Sequence, residues 1–261
     1  MGLNRMTDGW RWAAARACGT SHVKTGLPCQ DFALSETLAS VDETVMAVIV
    51  SDGAGSAKLA QIGSKSVCIG LLRLIRGYLA NHSLSQLREE MVWDWIDDIR
   101  EYISAKASRS GTQRRDFAAT SVAALMSENG TVIFHIGDGA AVVRYEGDEA
   151  WDVPSWPYQG EYASTTSFIT DDPQPHLTFV RNDRRVDRFA VFSDGIERLV
   201  LNSANRSAHE PFFNRMVTPL ALSEEAGRNL PLSMALREYL ESPSVCERTD
   251  DDKTLVLGVR K

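Results

Sequence analysis

The apolar positions of this chain follow two periods, and the place where one gives way to the other is Val45–Gly55, VMAVIVSDGAG. A run of apolar, largely β-branched residues breaks abruptly there into Asp52-Gly53-Ala54-Gly55. Such a run ended by turn residues predicts a buried strand, with the acidic residue where the strand surfaces. Downstream the period lengthens. Ala60, Gly63, Val67, Leu71, Leu74 and Tyr78 recur at three- and four-residue spacing, one face of a long helix with Ser56 as its expected N-cap. Leu87, Met91, Trp95, Ile99 and Ile103 mark a second helix opened near Ser83 or Ser85, followed by a polar connector over Ser108–Arg115.

Elsewhere the pattern is strand-like. Trp10–Cys18 reads as a first strand, Gly19–Asp31 as a turn-rich loop, and Phe32–Leu34 as the opening of a second strand. Ser121–Met126 and Thr131–Ile136 flank Ser127–Gly130, a good hairpin loop, and Ala140–Tyr145 continues the series. This is an antiparallel meander rather than a βαβ alternation. Trp151–Asp172 carries Pro154, Pro157 and Gly160 with little periodicity, the mark of an irregular loop, either a substrate-facing flap or a packed surface loop. Arg181–Arg188 is an arginine-rich turn between two short strands, able to meet a phosphopeptide or partner, or simply solvated. Ile196–Leu201 and Leu230–Leu240 read as helices, Asn202–Pro211 as loop, and Thr254–Val259 as a last strand.

Asp-Gly after one strand is an ordinary hairpin turn. Here it recurs: Thr131–Ile136 runs into Asp138-Gly139, Phe189–Phe192 into Asp194-Gly195, and Asp250-Asp251-Asp252 precedes the last strand. Asp31 closes the N-terminal loop, which also holds His22 and Lys24; spacing alone favours solvated loop residues for both, and their nearness to Asp31 is what suits them to a phosphate. Acidic strand ends repeated in this way predict one shared cluster. Mutual repulsion makes such a cluster costly unless a hard cation such as Mg²⁺ or Mn²⁺ occupies it.

Composition narrows the class. The chain has 261 residues, 43% hydrophobic and 24% charged, enough for one large domain over residues 1–261. No apolar run reaches bilayer length, and MGLNRMTDGWRW lacks a signal-peptide core and the myristoylation pattern. A soluble, cytoplasmic protein is expected. A net charge of −7 argues against a nucleic-acid-binding surface. Cys18, Cys29, Cys68 and Cys246 are scattered without a C-x-x-C pair, so neither a zinc site nor a disulfide framework is indicated, and small buried residues are expected.

The ordered set GTSHVKTGLPCQD, VSDGAGS, IGDGAAVV, FSDGIERL and DDDKTL resembles the metal-dependent protein phosphatase 2C superfamily, in its compact bacterial branch, over essentially the whole chain. The resemblance implies an α+β fold, an α-β-β-α sandwich of two antiparallel sheets flanked by helices. It implies a centre of two Mn²⁺ or Mg²⁺ ions, with a third, weaker ion in many members. Asp52 stands where the family has the bridging carboxylate, and the Gly53 carbonyl where it has a backbone ligand. Asp194 and Asp251 match the later metal aspartates, Asp31 the aspartate closing the N-terminal motif, and Asp138 the third-metal aspartate. The implied activity is hydrolysis of phosphoserine and phosphothreonine by a metal-activated water, with no phosphoenzyme. A phosphorylated protein, a Ser/Thr kinase or its targets, is the implied partner, with neither nucleic acid nor membrane.

The chain departs from the family pattern at four places. Gly26 stands where many members have an arginine that grips substrate phosphate, which leaves that task to His22 or Lys24. Ala54 follows the Asp-Gly where animal members carry histidine, Arg198 replaces an aspartate four residues after Asp194, and Gln30 stands for Glu or Asn. The competing readings are a pseudophosphatase that binds and regulates a kinase or other partner, a phosphatase for a small metabolite, and a protein whose Asp-Gly pairs are merely turns.

Overall fold

The computed structural model describes residues 9–158 and 166–261. In chain order its strands and helices are β1 (Trp10–Ala17), α1 (Thr20–Thr25), β2 (Phe32–Ala39), β3 (Thr44–Ser51), α2 (Ala60–Leu79), α3 (Glu89–Ser110), β4 (Ser121–Met126), β5 (Thr131–Ile136), β6 (Ala140–Tyr145), β7 (Asp152–Ser155), β8 (Thr178–Asn182), β9 (Val186–Phe192), α4 (Glu197–Val200), β10 (Leu201–Asn202), β11 (Ser207–Ala208), α5 (Glu210–Leu222), β12 (Gly227–Arg228), α6 (Leu230–Leu240), α7 (Pro243–Cys246) and β13 (Lys253–Arg260). One large sheet has the order β2-β3-β4-β5-β8, the other β12-β1-β13-β9-β6-β7, and β10 with β11 makes a short ribbon. Among the described residues, only the β1–β12 pair is parallel.

β3 shows why the layers stack as they do. Side chains alternate across a strand. Val45, Ala47 and Ile49 pack under α2 and α3, against Val67, Leu71, Ile75 and Ile99. Met46, Val48 and Val50 face the other sheet, clustering with Ala141, Phe189 and Val256. A third cluster seats Phe192, Leu255 and Leu257 against Phe213 and Val217 of α5 and Leu236 and Leu240 of α6. Fully burying each large apolar side chain contributes about 1.5–3 kcal/mol, so the continuous apolar run of β3 anchors two layers at once. The result is the four-layer helix-sheet-sheet-helix sandwich expected from the resemblance.

Several sequence expectations shift. α2 starts at Ala60, not after Ser56: residues 54–59 form turns closed by backbone bonds, Ala57 N–H to the Ala54 carbonyl (2.8 Å) and Leu59 N–H to the Asp116 carbonyl (2.7 Å). Ser83 caps only a short 3₁₀ turn over Leu84–Gln86, and α3 begins at Glu89. The loop Gly19–Asp31 contains α1, closed by Gly26 at φ 73°. α5 begins at the end of the stretch read as loop, Asn202–Pro211, and runs on where no element was expected.

The largest difference is β6. It leaves the β4–β5 hairpin and pairs with β9 and β7 in the other sheet. Gly137 and Gly139 make that crossing. Gly137 has φ 113°, and a Cβ on it would lie 2.5 Å from the Thr120 Cγ2; one on Gly139 would lie 2.9 Å from the Phe192 carbonyl. Neither position has room for a side chain, and the φ of Gly137 suits glycine alone. Arg181, Arg184 and Arg185 pair with Asp183, Asp148 and Glu128 of their own and neighbouring loops. In the irregular segment, Trp151 is buried and donates to Asn214 Oδ1 (2.8 Å), and Tyr158 stacks on His176 with ring centroids 4.0 Å apart; residues 159–165 lie outside the described residues. Among the cysteines only Cys68 is buried, and all four are free. Among the described residues no helix is long and apolar enough to cross a membrane.

Candidate active site

Strand register gathers the acids. Phe32 pairs with Ser51, so Asp31 and Asp52 leave adjacent strands side by side. Ala140 and Leu255 both pair with Phe192, so Asp138, Asp194 and Asp251 emerge at one end of the neighbouring strands β6, β9 and β13. The two sheets meet there. Ser193 Oγ donates to Asp31 Oδ2 (2.7 Å), while the Thr254 N–H donates to Ser193 Oγ (3.0 Å).

The backbone at Asp52 is held on both sides. Its N–H donates to Thr120 Oγ1 (3.0 Å), the Thr120 N–H returns a bond to the Asp52 carbonyl (2.8 Å), and the Ala54 N–H reaches the Ala118 carbonyl (2.9 Å). Gly53 is pressed against the start of α2, where a Cβ would lie 2.6 Å from the Ala60 carbonyl. Gly195 is tighter still, since a Cβ there would overlap the Asp252 carbonyl oxygen. The glycines after Asp52 and Asp194 are therefore required by packing, which bare turn propensity does not explain.

The acidic run before β13 divides its roles. Asp251 is exposed toward the cleft, while Asp252 turns inward and is buried. Asp252 accepts from the Gly19 N–H (2.6 Å), the Gln30 N–H (2.5 Å) and His22 Nδ1 (2.9 Å), stapling the N-terminal loop to the last strand. Cys18, His22 and Asp252 each place a ligand-type atom within 4.8 Å of the others, but backbone donors already occupy both Asp252 oxygens. The structure thus commits His22 to Asp252. Lys24 is exposed on α1, and neither residue, each expected from the sequence to be able to grip phosphate, is among those that line the cleft.

The cleft measures about 460 Å³, and its lining includes Asp138, Asp194, Asp251 and Glu197 together with Arg198 and Arg248. Burial, followed by the fields of Asp138 and Asp251, pushes Asp194 up to about 8. Burial, followed by the fields of Asp31 and Asp194, holds Asp52 well above the usual carboxylate range. Asp31 and Asp138 are raised chiefly by burial as well. Among the described residues, Asp31 Oδ1 and Asp194 Oδ1 are buried without a hydrogen-bond partner. Buried carboxylates that repel one another and leave acceptor oxygens unmatched are what a hard divalent cation satisfies, and the oxygen donor set fits Mg²⁺ or Mn²⁺.

The acidic strand ends and, for the choice of Asp251, the family resemblance pointed to Asp31, Asp52, Asp138, Asp194 and Asp251, and the structure brings them to one end of the sandwich. Glu197, Asp252 and Arg248 were not legible as site residues. Glu197 had a signal: it follows Asp194 by one helical turn, and burial, followed by the field of Asp138, raises it.

Comparison with known proteins agrees with this geometry. The family model described as "Protein phosphatase 2C" matches residues 18–241. The chain is 35% identical over 252 residues to serine/threonine-protein phosphatase 3 of Escherichia coli (strain K12), covering 96% of this chain and 98% of the relative. Among solved structures it resembles the serine/threonine phosphatase Stp1 from Staphylococcus aureus, at 17% identity and a TM-score of 0.60, covering 96% of this chain and 94% of that one. It also resembles RsbX in complex with magnesium, at 14% identity and a TM-score of 0.57, covering 100% and 98%. An acidic end suited to divalent cations on a two-sheet sandwich, matched by a family model over most of its length, places the chain in the protein phosphatase 2C family.

Proposed function

We propose that this protein is a metal-dependent serine/threonine protein phosphatase that hydrolyses phosphoserine and phosphothreonine in protein substrates, a Ser/Thr kinase or its targets among them. The observation that carries the reading is the convergence of Asp31, Asp52, Asp138, Asp194 and Asp251 from both sheets at one end of the sandwich, three of them lining an open cleft. The family is metal-dependent, and the relative from Escherichia coli bears the same activity in its name. The pseudophosphatase alternative is not favoured, because Asp52, Asp194 and Asp251 are all present and gathered. One catalytic domain over residues 1–261, acting in the cytoplasm, belongs to the same reading.

In this reading Asp52, the Gly53 carbonyl, Asp194 and Asp251 would hold two Mn²⁺ or Mg²⁺ ions, Asp31 would support that set, and Asp138 would serve a third, weaker ion. When bound, such ions polarise phosphoryl oxygens and bring the pKa of water toward neutrality. The chain supplies the rest. Ser193 orients Asp31 by its 2.7 Å bond, and Thr120 fixes the Asp52 backbone from both sides. Asp252 ties the loop carrying Gln30 and Asp31 to the strand carrying Asp251. Preorganised groups of this kind need no rearrangement as charge develops on the phosphoryl group. Among the described residues no cysteine lines the cleft, and burial pushes the Cys29 thiol upward, away from nucleophilic use. The test is release of phosphate from a phosphothreonine peptide with saturating Mn²⁺. Wild type turns over and Asp52→Asn loses at least about a hundredfold, the scale expected for a group that stabilises the transition state. Equal turnover in the two proteins overturns the assignment.

A further inference from the structure

The acidic cleft has a problem that its carboxylates do not solve: its substrate is a dianion. Three basic side chains beside the acid cluster are already engaged. Arg16 donates to the Asp31 carbonyl (2.8 Å), Lys253 Nζ to the Asp251 carbonyl (3.0 Å), and His22 Nδ1 lies 2.9 Å from Asp252 Oδ2. Gly26, where the family resemblance places an arginine, is the αL cap of α1 with open space around it.

Two basic side chains do line the cleft. Arg198 lies on α4, four residues beyond Asp194, and Arg248 lies three residues before Asp251, its N–H held by the Val245 carbonyl (2.9 Å). Each is therefore fixed to the same short segment as a candidate metal ligand. Both are exposed, and among the described residues neither guanidinium makes a hydrogen bond or salt bridge. By contrast Arg114, Arg144 and Arg184 are all ion-paired.

We propose that Arg198 and Arg248 form the anion clamp of this cleft and grip the non-bridging oxygens of the phosphorylated serine or threonine. A guanidinium keeps its charge at any working pH, and its planar fork matches phosphate oxygens in pairs. Two of them in the lining of an acidic cleft offset the repulsion of an incoming dianion and raise its local concentration. The clamp rests on the phosphatase reading but is separable from it, because binding can be read without turnover.

The experiment compares wild type, Arg198→Ala/Arg248→Ala, Arg198→Lys/Arg248→Lys, and Arg73→Ala/Arg109→Ala, which removes two exposed arginines from the outer helices. Thermal unfolding checks that each is folded. With a phosphothreonine peptide and Mn²⁺, the cleft alanine pair raises KM about tenfold or more, the effect of losing a hydrogen bond to a charged group. In that variant kcat falls much less and the Mn²⁺ activation midpoint stays in place. The lysine pair recovers part of the loss, and the outer pair matches wild type. An unchanged KM, or a Mn²⁺ midpoint that moves as far as KM, overturns the clamp. If wild type hydrolyses nothing, the phosphatase reading fails by itself. Fluorescence anisotropy of the labelled phosphopeptide then decides the clamp: about tenfold weaker binding to the alanine pair supports it, and equal binding overturns it.

Discussion

Replacing Asp194 with asparagine should stabilise the metal-free protein while abolishing its chemistry. Burial and the fields of neighbouring aspartates push Asp194 up to about 8, from an ordinary value of 3.8. Because the folded pKa is raised, the carboxyl's contribution to stability is fully present below the unfolded value and is lost as pH rises toward the folded one. Each pH unit crossed in that window costs the wild type about 1.4 kcal/mol. The amide of the Asp194→Asn variant does not titrate, so the stability difference between variant and wild type should widen by about 1.4 kcal/mol per unit, or roughly 3 kcal/mol between pH 5 and 7. The assay is urea unfolding with EDTA present, followed by tryptophan fluorescence at pH 5, 6 and 7. Adding Mn²⁺ should reverse the order: ligand at a hundred times its Kd stabilises the native state by about 2.7 kcal/mol, a gain expected in wild type and diminished in the variant. A difference that stays flat with pH, or one that favours wild type without metal, would refute the claim that Asp194 sits in a repulsive, metal-ready cluster.

Other expectations follow from the same geometry. Gly195→Ala forces a methyl into the Asp252 carbonyl oxygen and should destabilise by ~3 kcal/mol or abolish soluble expression, read by chemical denaturation. Asp252→Ala leaves the Gly19 and Gln30 N–H groups without their acceptor, and should lose about 3 kcal/mol and weaken Mn²⁺ activation together. His135 is buried and its pKa is lowered to about 4, so it contributes stability at neutral pH that is lost as pH falls from 6.5. The full loss is about 3 kcal/mol, and His135→Gln should remove that acid-side slope in urea unfolding between pH 7 and 5.

Much of the acidic cluster was legible because its carboxylates end strands, and strand ends are written twice, once in the apolar run and once in the Asp-Gly break. Asp52 and Asp194 announce themselves in that way. The layering was legible only in part. The unbroken apolar character of Val45–Val50 says that both faces are buried, but not which partner covers each. β6 was misplaced because Gly137-Asp138-Gly139 has the local signature of a hairpin turn; the close approach of Thr120 and Phe192, which makes it a crossing between sheets, is set by residues distant in sequence. The capping errors have the same origin. Ser56 and Ser83 are good caps by residue type, yet the Asp116 carbonyl takes the Leu59 N–H and delays α2. The inward role of Asp252 was hidden for another reason. In DDDKTL nothing local says which aspartate faces the cleft and which turns inward, since that choice depends on the N-terminal loop arriving with its free N–H groups.

The most direct measurement is phosphate release from a phosphothreonine peptide as a function of Mn²⁺ concentration, with wild type beside Asp194→Asn. Saturable, metal-dependent turnover in wild type, lost in the variant although that variant is folded, is the predicted result. Turnover that is independent of metal, or that survives in Asp194→Asn at saturating Mn²⁺, would contradict a catalytic centre built on these aspartates.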